Sequence, residues 1–88
     1  MASKTVSVES SVGLHARPAS IIAEAAGEFD EDIFLTIEGE DDDETDAASS
    51  LMIMALGAEK GDKVTVTSEN PEAVEKIAAL IEKDLDAV

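Results

Sequence analysis

The sequence predicts an α+β fold, an open-faced β-sandwich in which three helices cover one face of an antiparallel sheet. Short β-branched segments alternate with apolar segments of helical spacing, and Gly, Asn and Pro residues separate them. The resulting order is β-α-β-β-α-β-α, with no internal repeat and no linker. Such a mixture is typical of helices packed on one face of a mainly antiparallel sheet. A chain of 88 residues is expected to form a single domain, residues 1–88, with one thin core.

The first half of the chain predicts a strand, a helix and a second strand. Lys4–Val8 is short and β-branched, with its two terminal valines on one face. Ala16–Ala26 carries alanine and isoleucine at helical spacing, and Gly27 suits the residue just past a helix. Ile33–Ile37, with the sequence IFLTI, predicts a compact second strand.

The second half begins with an acidic run, residues 40–46, that reads EDDDETD. Such a run is typical of a solvated loop or a weak edge strand, so a third strand here stays open. Ala47–Leu56 is apolar at helical spacing, and Gly57 can end that helix. Gly61 opens a further strand, Lys63–Thr67.

The last helix has the clearest start in the chain. Asn70 is suited to the N-cap position and Pro71 to the first helical residue. Glu72 and Lys76 have the spacing of a supportive ion pair on one helix face. The predicted buried stripe comprises Val74, Ile77, Ala78, Ile81 and Leu85.

The charge balance is strongly acidic, with 21 acidic residues against six basic ones and a formal net charge of −15. This balance disfavours nucleic-acid binding, which needs basic patches. Disorder is also disfavoured, because 44% of the residues are hydrophobic and they recur periodically. Two interpretations of the acidic charge remain: an acidic partner-binding protein, and adaptation to high salt. We favour adaptation to high salt, because salt near 1 M shortens the Debye length to about 3 Å and the acidic side chains on the surface then no longer repel one another.

Several chemistries and locations are disfavoured by what the sequence lacks. There is no cysteine, so disulfides and thiolate chemistry are excluded. No apolar run approaches the roughly 18 residues that cross a bilayer, and the N-terminus has no signal-peptide pattern. The acidic run lacks the ligand spacing of an EF-hand loop, so we expect no metal site. These features favour a cytoplasmic protein that is not inserted in a membrane.

The single histidine and the single arginine of the chain lie two residues apart, in the segment 13–20, GLHARPAS. His15 lies where a loop becomes a helix, and the N–H groups of Ala16 and Arg17 lack intrahelical partners there. These groups and the helix dipole attract an anion such as phosphate, and Arg17 adds a permanent positive charge. Pro18 is tolerated in the first turn.

A neutral imidazole is a competent nucleophile near pH 7. The arrangement therefore predicts that His15 carries a phosphoryl group, with Arg17 and the helix start stabilising its charge during transfer. The alternative is an exposed histidine that only caps a helix.

The segment 13–19, GLHARPA, resembles the active-site motif of HPr, the histidine-containing phosphocarrier family of the sugar phosphotransferase system. Residues 49–57, SSLMIMALG, resemble the second HPr helix, and residues 60–66, KGDKVTV, resemble its last strand and the preceding turn. The resemblance extends over nearly the whole chain, and the length and order of elements also agree. It implies the HPr-like open-faced sandwich.

The resemblance also implies a reaction cycle. Enzyme I, charged by phosphoenolpyruvate, phosphorylates His15 at Nδ1, and the group passes to the A component of a sugar permease, of which a fructose-type permease is one candidate. His15 is then the phosphoacceptor and Arg17 its electrostatic assistant. No cofactor is implied beyond the transient phosphoryl group. The carrier is expected to be a monomer and a substrate of its partners more than an independent enzyme, and the sugar is chosen by the permease.

Two positions depart from the family pattern. The region between Gly39 and the second helix is a few residues longer than in typical members and is filled with acidic residues. Ser49 matches a regulatory phosphoserine of some members, but Ala48 stands beside it where a basic residue is usual. A serine at a helix start is most often a cap, which is the simpler interpretation of Ser49.

Two segments contain no acidic residue, Ser10–Ala23 and Ala47–Ala58. The family docks its partners through the corresponding two helices, so our hypothesis is that the acid-free segments form the docking face. The predicted docking residues are Leu14, Ser20, Leu51 and Met54, and methionine can adapt to more than one partner. The alternative is that helix faces packed on a sheet are uncharged for that reason alone.

Two other classes of protein compete with the sugar phosphocarrier. An acyl-carrier-type protein is also small and acidic, with a modified serine at a helix start that Ser50 faintly resembles. The strands IFLTI and KVTVT argue against it, because acyl carriers are helical bundles. An HPr-like regulator that serves nitrogen control or a dihydroxyacetone kinase would use the same chemistry on His15, and the sequence does not separate it from the sugar carrier.

Overall fold

A computed structural model of the chain describes residues 2–9, 13, 16–37 and 44–83. Within these ranges the elements follow the predicted order, and the α+β open-faced sandwich is confirmed. The elements are β1 (Ala2–Ser7), α1 (Ala16–Ala26), β2 (Ile33–Ile37), β3 (Thr45–Asp46), α2 (Ser50–Leu56), β4 (Lys63–Ser68) and α3 (Pro71–Glu82).

The four strands form one antiparallel sheet in the order β1-β4-β2-β3. Val6 of β1 lies opposite Val64 of the central strand β4, and Leu35 of β2 lies opposite Val66. All four side chains are buried, because alternate residues of a strand point to the same face and that face is covered by the helices.

The three helices pack on this face of the sheet and complete the core. The predicted stripe of α3 is confirmed for its described members, and Leu85 lies outside the described residues. Pro18 is fully buried at the start of α1. The other helical side chains with at most 3% exposure are Ala19, Ile22, Ala26, Ile53, Ala73, Val74, Ile77, Ala78 and Ile81.

The first and last strands differ from the predicted ranges at their ends. β1 runs from Ala2 to Ser7, so Val8 follows the strand, and its backbone N–H donates to the Asp62 carbonyl at 2.9 Å. β4 continues one residue further than predicted, to Ser68. The Ser68 hydroxyl accepts a hydrogen bond from the Asn70 backbone N–H at 3.2 Å, which joins the strand end to the start of α3.

The apolar run Ala47–Leu56 is helical only from Ser50, and Ser49 is the N-cap of α2, which confirms the simpler interpretation of that serine. The Asp46 carboxylate accepts a hydrogen bond from the Ala48 N–H at 2.9 Å, and the Asp46 carbonyl accepts one from the Ser49 N–H at 3.1 Å. These bonds form a turn before the helix, since an aspartate side chain can bond the backbone two residues on. The helical propensity of Ala47 and Ala48 does not outweigh that turn.

The acidic run contributes a two-residue strand at its end. Thr45 and Asp46 pair with Leu35 and Phe34 of β2, so β3 is the edge of the sheet. Residues 40–43 of the run lie outside the described residues. The third strand that the sequence left open therefore exists, and it begins at Thr45.

Two predictions about helix ends are confirmed and one predicted ion pair is wrong. Gly27 is the residue just past α1, as predicted; it does not adopt a positive φ, and its N–H donates to the Ala23 carbonyl at 3.0 Å. Lys76 contacts the Glu28 carboxylate at 3.7 Å instead of forming the predicted pair with Glu72. The Asn70 cap is confirmed, since its side-chain oxygen accepts a hydrogen bond from the Glu72 N–H at 3.0 Å.

Candidate functional site

The first turn of α1 fixes the surroundings of the candidate phosphoacceptor. Helix α1 begins at Ala16, as predicted, so His15 is bonded directly to the first helical residue. Leu14 and His15 themselves lie outside the described residues, whereas Gly13 and Ala16 on either side of them are described. Because consecutive Cα atoms are about 3.8 Å apart, covalent continuity keeps His15 beside the N-terminal end of α1.

The electrostatic setting of this helix end favours an anion. Helix geometry leaves the N–H groups of Ala16 and Arg17 without intrahelical partners, and the first turn of α1 contains no acidic residue. Arg17 is exposed. The two ion pairs found among the described residues, Lys4–Glu75 and Lys76–Glu28, do not involve it. The guanidinium is therefore accessible beside the helix start.

Helix α3 has the opposite setting at its N-terminus. Its first turn contains Glu72, and the Asn70 side chain both caps the helix and donates to the Glu31 carboxylate at 3.0 Å. Negative charge already occupies the positive end of that helix dipole. The first turn of α3 therefore contains an acidic side chain, whereas the first turn of α1, next to His15, contains none.

The two acid-free segments are brought together by the fold. Helices α1 and α2 pack against each other, so the described parts of Ser10–Ala23 and Ala47–Ala58 form neighbouring surfaces. Ser20 is exposed on α1, as a docking residue requires. The first acidic residues past the segments, Glu24 and Glu59, are exposed at their borders.

Helix α2 presents apolar side chains to solvent. Leu51 is 75% exposed and Met52 is 46% exposed, and they are the large hydrophobic side chains that the described residues leave exposed. Ile53 is fully buried, and Met54 is partly buried against the core. Leu51 therefore has the exposure that the docking hypothesis requires, and Met54 is only partly exposed. Met52 is a further exposed apolar side chain that the sequence analysis did not single out. The continuous apolar run LMIM gives no periodic signal that separates its exposed side from its buried side.

Two caps hold this short helix in place. Ser49 is extended, with φ −112° and ψ 109°, and its hydroxyl accepts a hydrogen bond from the Met52 N–H at 3.3 Å. Gly57 ends the helix in the left-handed conformation, with φ 73°, and its N–H donates to the Met54 carbonyl at 3.2 Å. A helix of seven residues is too short to be stable without caps and tertiary packing. Ser49 thus has a structural role, and its phosphorylation stays a prediction.

Two other kinds of site are absent from the described ranges of the chain. None of the helices there combines the length and the hydrophobicity that a bilayer crossing requires. No group of three or more His, Asp or Glu side chains among those same residues is arranged to hold a metal ion.

Comparison with known proteins gives consistent matches over nearly the whole chain. Residues 2–83 match the family model described as the PTS HPr component phosphorylation site. Phosphocarrier protein HPr of Vibrio cholerae is 37% identical over 86 residues, which cover 94% of this chain and 98% of that protein. HPr-like protein Crh of Bacillus subtilis is 32% identical, over 97% of this chain and 100% of Crh. The crystal structure of a phosphocarrier protein HPr from Bacillus anthracis superposes with a TM-score of 0.81 at 35% identity, covering 91% of this chain and 95% of that one.

Proposed function

The chain belongs to the HPr family of phosphotransferase-system phosphocarriers, and from that premise we propose that His15 accepts a phosphoryl group from phospho-Enzyme I and passes it to the A component of a sugar permease. The observation that carries this proposal is the start of α1 immediately after His15, with an exposed Arg17 and no acidic residue in the first turn. That setting supplies hydrogen-bond donors and positive charge where a phosphoryl group on His15 needs them.

The proposed chemistry is a transfer between two nucleophiles. The Nδ1 lone pair of the neutral His15 imidazole forms the new P–N bond while the bond between phosphorus and the donor breaks, and its electron pair leaves with the donor. Arg17 and the N–H groups of Ala16 and Arg17 stabilise charge on the phosphoryl oxygens during the transfer. In the second step the acceptor forms the new bond and His15 is the leaving group. The proposed transfer needs no resident cofactor, and the phosphoryl group is transient.

Labelling tests the acceptor directly. The chain is incubated with Enzyme I and phosphoenolpyruvate that carries labelled phosphate, and wild type is compared with His15→Ala and Ser49→Ala. We expect an acid-labile label on wild type and on Ser49→Ala, and none on His15→Ala. Circular dichroism checks that all three proteins are folded. Label retained by folded His15→Ala would overturn the proposal.

The docking residues are proposed to be Leu14, Ser20, Leu51 and Met54, with Met52 added because of its exposure. The partner proteins would contact the neighbouring surfaces of α1 and α2. These surfaces carry apolar side chains, α2 contains no acidic residue, and the first acidic residue of α1 is Glu24. A charge placed on that surface should impair transfer. Ser20→Glu is expected to lower the rate of phosphoryl transfer, whereas Ala79→Glu, which places the same acid on an exposed position of α3, should not. Equal effects of the two substitutions would contradict this docking face.

A second candidate function is a regulatory phosphocarrier, and the match to HPr-like protein Crh favours keeping it. Such a protein would use the same reaction on His15 but would hand the phosphoryl group to a component of nitrogen control or of a dihydroxyacetone kinase. Transfer from the labelled protein to a purified A component of a sugar permease separates the two functions. Rapid loss of label to that A component supports the sugar carrier, and its absence favours the regulator.

The proposed setting for this activity is a salt-rich cytoplasm. The formal charge of −15 makes the chain repel itself at low ionic strength, and further negative charge arrives with each phosphoryl group. The acid-free segments keep that charge away from the first two turns of α1. The transfer assays are therefore run in at least two concentrations of KCl, one near physiological ionic strength and one near 1 M.

A further inference from the structure

The backbone at Gly13, two residues before His15, passes another part of the backbone at very short range. Gly13 is buried and has φ 76°. A Cβ atom at this position would lie 2.5 Å from the Ala58 carbonyl oxygen and 2.9 Å from the Glu59 Cα. Both are backbone atoms, so they cannot rotate away as the end of a flexible side chain would. Glycine is therefore required here for the close approach as well as for the positive φ.

The segment that Gly13 contacts is held in place by several bonds. Ala58 is 1% exposed. The Glu59 N–H donates to the Asp62 carboxylate and the Asp62 N–H donates to the Glu59 carbonyl, each at 2.9 Å. The turn is also joined to the end of β1, since the Gly61 N–H donates to the Val8 carbonyl and the Val8 N–H to the Asp62 carbonyl, again at 2.9 Å. Movement of this segment away from a larger residue at position 13 would break some of these bonds.

The other end of the histidine segment is fixed as well. Two residues, Leu14 and His15, separate Gly13 from the first residue of α1. That helix is anchored at its start by Pro18 and Ala19, which are fully buried. At about 3.8 Å between consecutive Cα atoms, the Cα of His15 is at most about 7.6 Å from that of Gly13. A displacement of Gly13 is therefore separated from His15 by a single residue, Leu14.

We propose that Gly13 is a positioning residue for phosphoryl transfer: its backbone contact with Ala58–Glu59 sets where His15 stands relative to the exposed apolar side chains of α2. This inference rests on the proposed function. Relief of the clash requires the 2.5 Å approach to grow to an ordinary contact of 3.4 Å, a shift of 0.9 Å. Misplacement of a reacting group by about 1 Å can cost about 100-fold in rate.

The test compares alanine substitutions at two glycines that share a positive φ. Gly61 has φ 93° and no atom within 4 Å of its would-be Cβ, so Gly61→Ala introduces backbone strain without a clash. For transfer from phospho-Enzyme I, we expect Gly13→Ala to lower kcat by about 100-fold while KM changes less than about threefold, because the α2 surface is retained. Gly61→Ala should leave both constants within about threefold of wild type. Rates are corrected for the folded fraction, measured by circular dichroism.

A second variant keeps the inference testable if Gly13→Ala does not fold. Asp62→Ala removes the carboxylate that holds the Glu59 N–H and so loosens the surface on which Gly13 rests. We expect it to lower kcat by about three- to tenfold with little change in KM. Wild-type kcat in the folded Gly13→Ala and Asp62→Ala proteins, or a change confined to KM, would overturn the inference alone. Absence of label on His15 of the wild type would overturn the proposed function and this inference with it.

Discussion

Leu51 and Ile53 are two residues apart on α2 and have opposite environments. Substitutions at these two positions therefore distinguish an effect on partner docking from an effect on the stability of the fold. Leu51 is 75% exposed and Ile53 is fully buried. Complete burial of a leucine side chain is worth about 1.5–3 kcal/mol. A partner that covers the exposed three quarters of Leu51 therefore gains roughly 1–2 kcal/mol, and Leu51→Ala should raise KM about 5- to 30-fold.

The assay is steady-state phosphoryl transfer from phospho-Enzyme I, with the concentration of the carrier varied. For Leu51→Ala we expect the higher KM at nearly unchanged kcat, and a free energy of unfolding within about 0.5 kcal/mol of wild type, because the side chain packs little against the protein. Ile53→Ala should behave in the opposite way. It leaves a cavity in the core and should cost about 2–5 kcal/mol of stability, measured by urea denaturation.

One result would refute this reasoning. If Leu51→Ala leaves KM within twofold of wild type for both the phosphoryl donor and the acceptor, the exposed side of α2 is not a docking surface. A loss of several kcal/mol of stability in Leu51→Ala would instead show that the side chain is packed in solution.

Two further predictions concern stability. Ser49→Ala should lower the free energy of unfolding by about 1 kcal/mol, because it removes the hydroxyl that accepts a hydrogen bond from the Met52 N–H. The control Ser50→Ala, at the first helical residue, should change that free energy by less than about 0.5 kcal/mol. Equal losses for the two variants in urea denaturation would contradict the role of Ser49 as a cap. The melting temperature should rise between 0.1 M and 1 M KCl, because the Debye length falls from about 10 Å to about 3 Å in a molecule of 11.2 Å radius of gyration and charge −15. A stabilisation of only about 1 kcal/mol would raise it by about 4–8 °C, and a flat or falling melting temperature would argue against relief of self-repulsion.

Local signals in the sequence determined most of the secondary structure. Helix α1 has the predicted bounds, Ala16–Ala26, and α3 begins at the predicted Asn70–Pro71 start. Both results follow from information within a few residues: the spacing of apolar side chains and the chemistry of a cap. The family and the candidate phosphoacceptor could also be identified from the sequence, because the motif around His15 is contiguous.

The tertiary structure decided what contiguous patterns could not encode. The LMIM run in α2 predicts a helix equally well in any orientation, and packing of Ile53 into the core is what leaves Leu51 and Met52 exposed. The clash that excludes a side chain at Gly13 involves Ala58, which lies far along the chain, so no local window contains it. Propensity and capping act between near neighbours in sequence, whereas exposure and close approach depend on which distant segments the fold brings together. The sequence by itself therefore determined most of the elements and the candidate histidine, and the tertiary structure alone decided which surfaces and backbone contacts surround it.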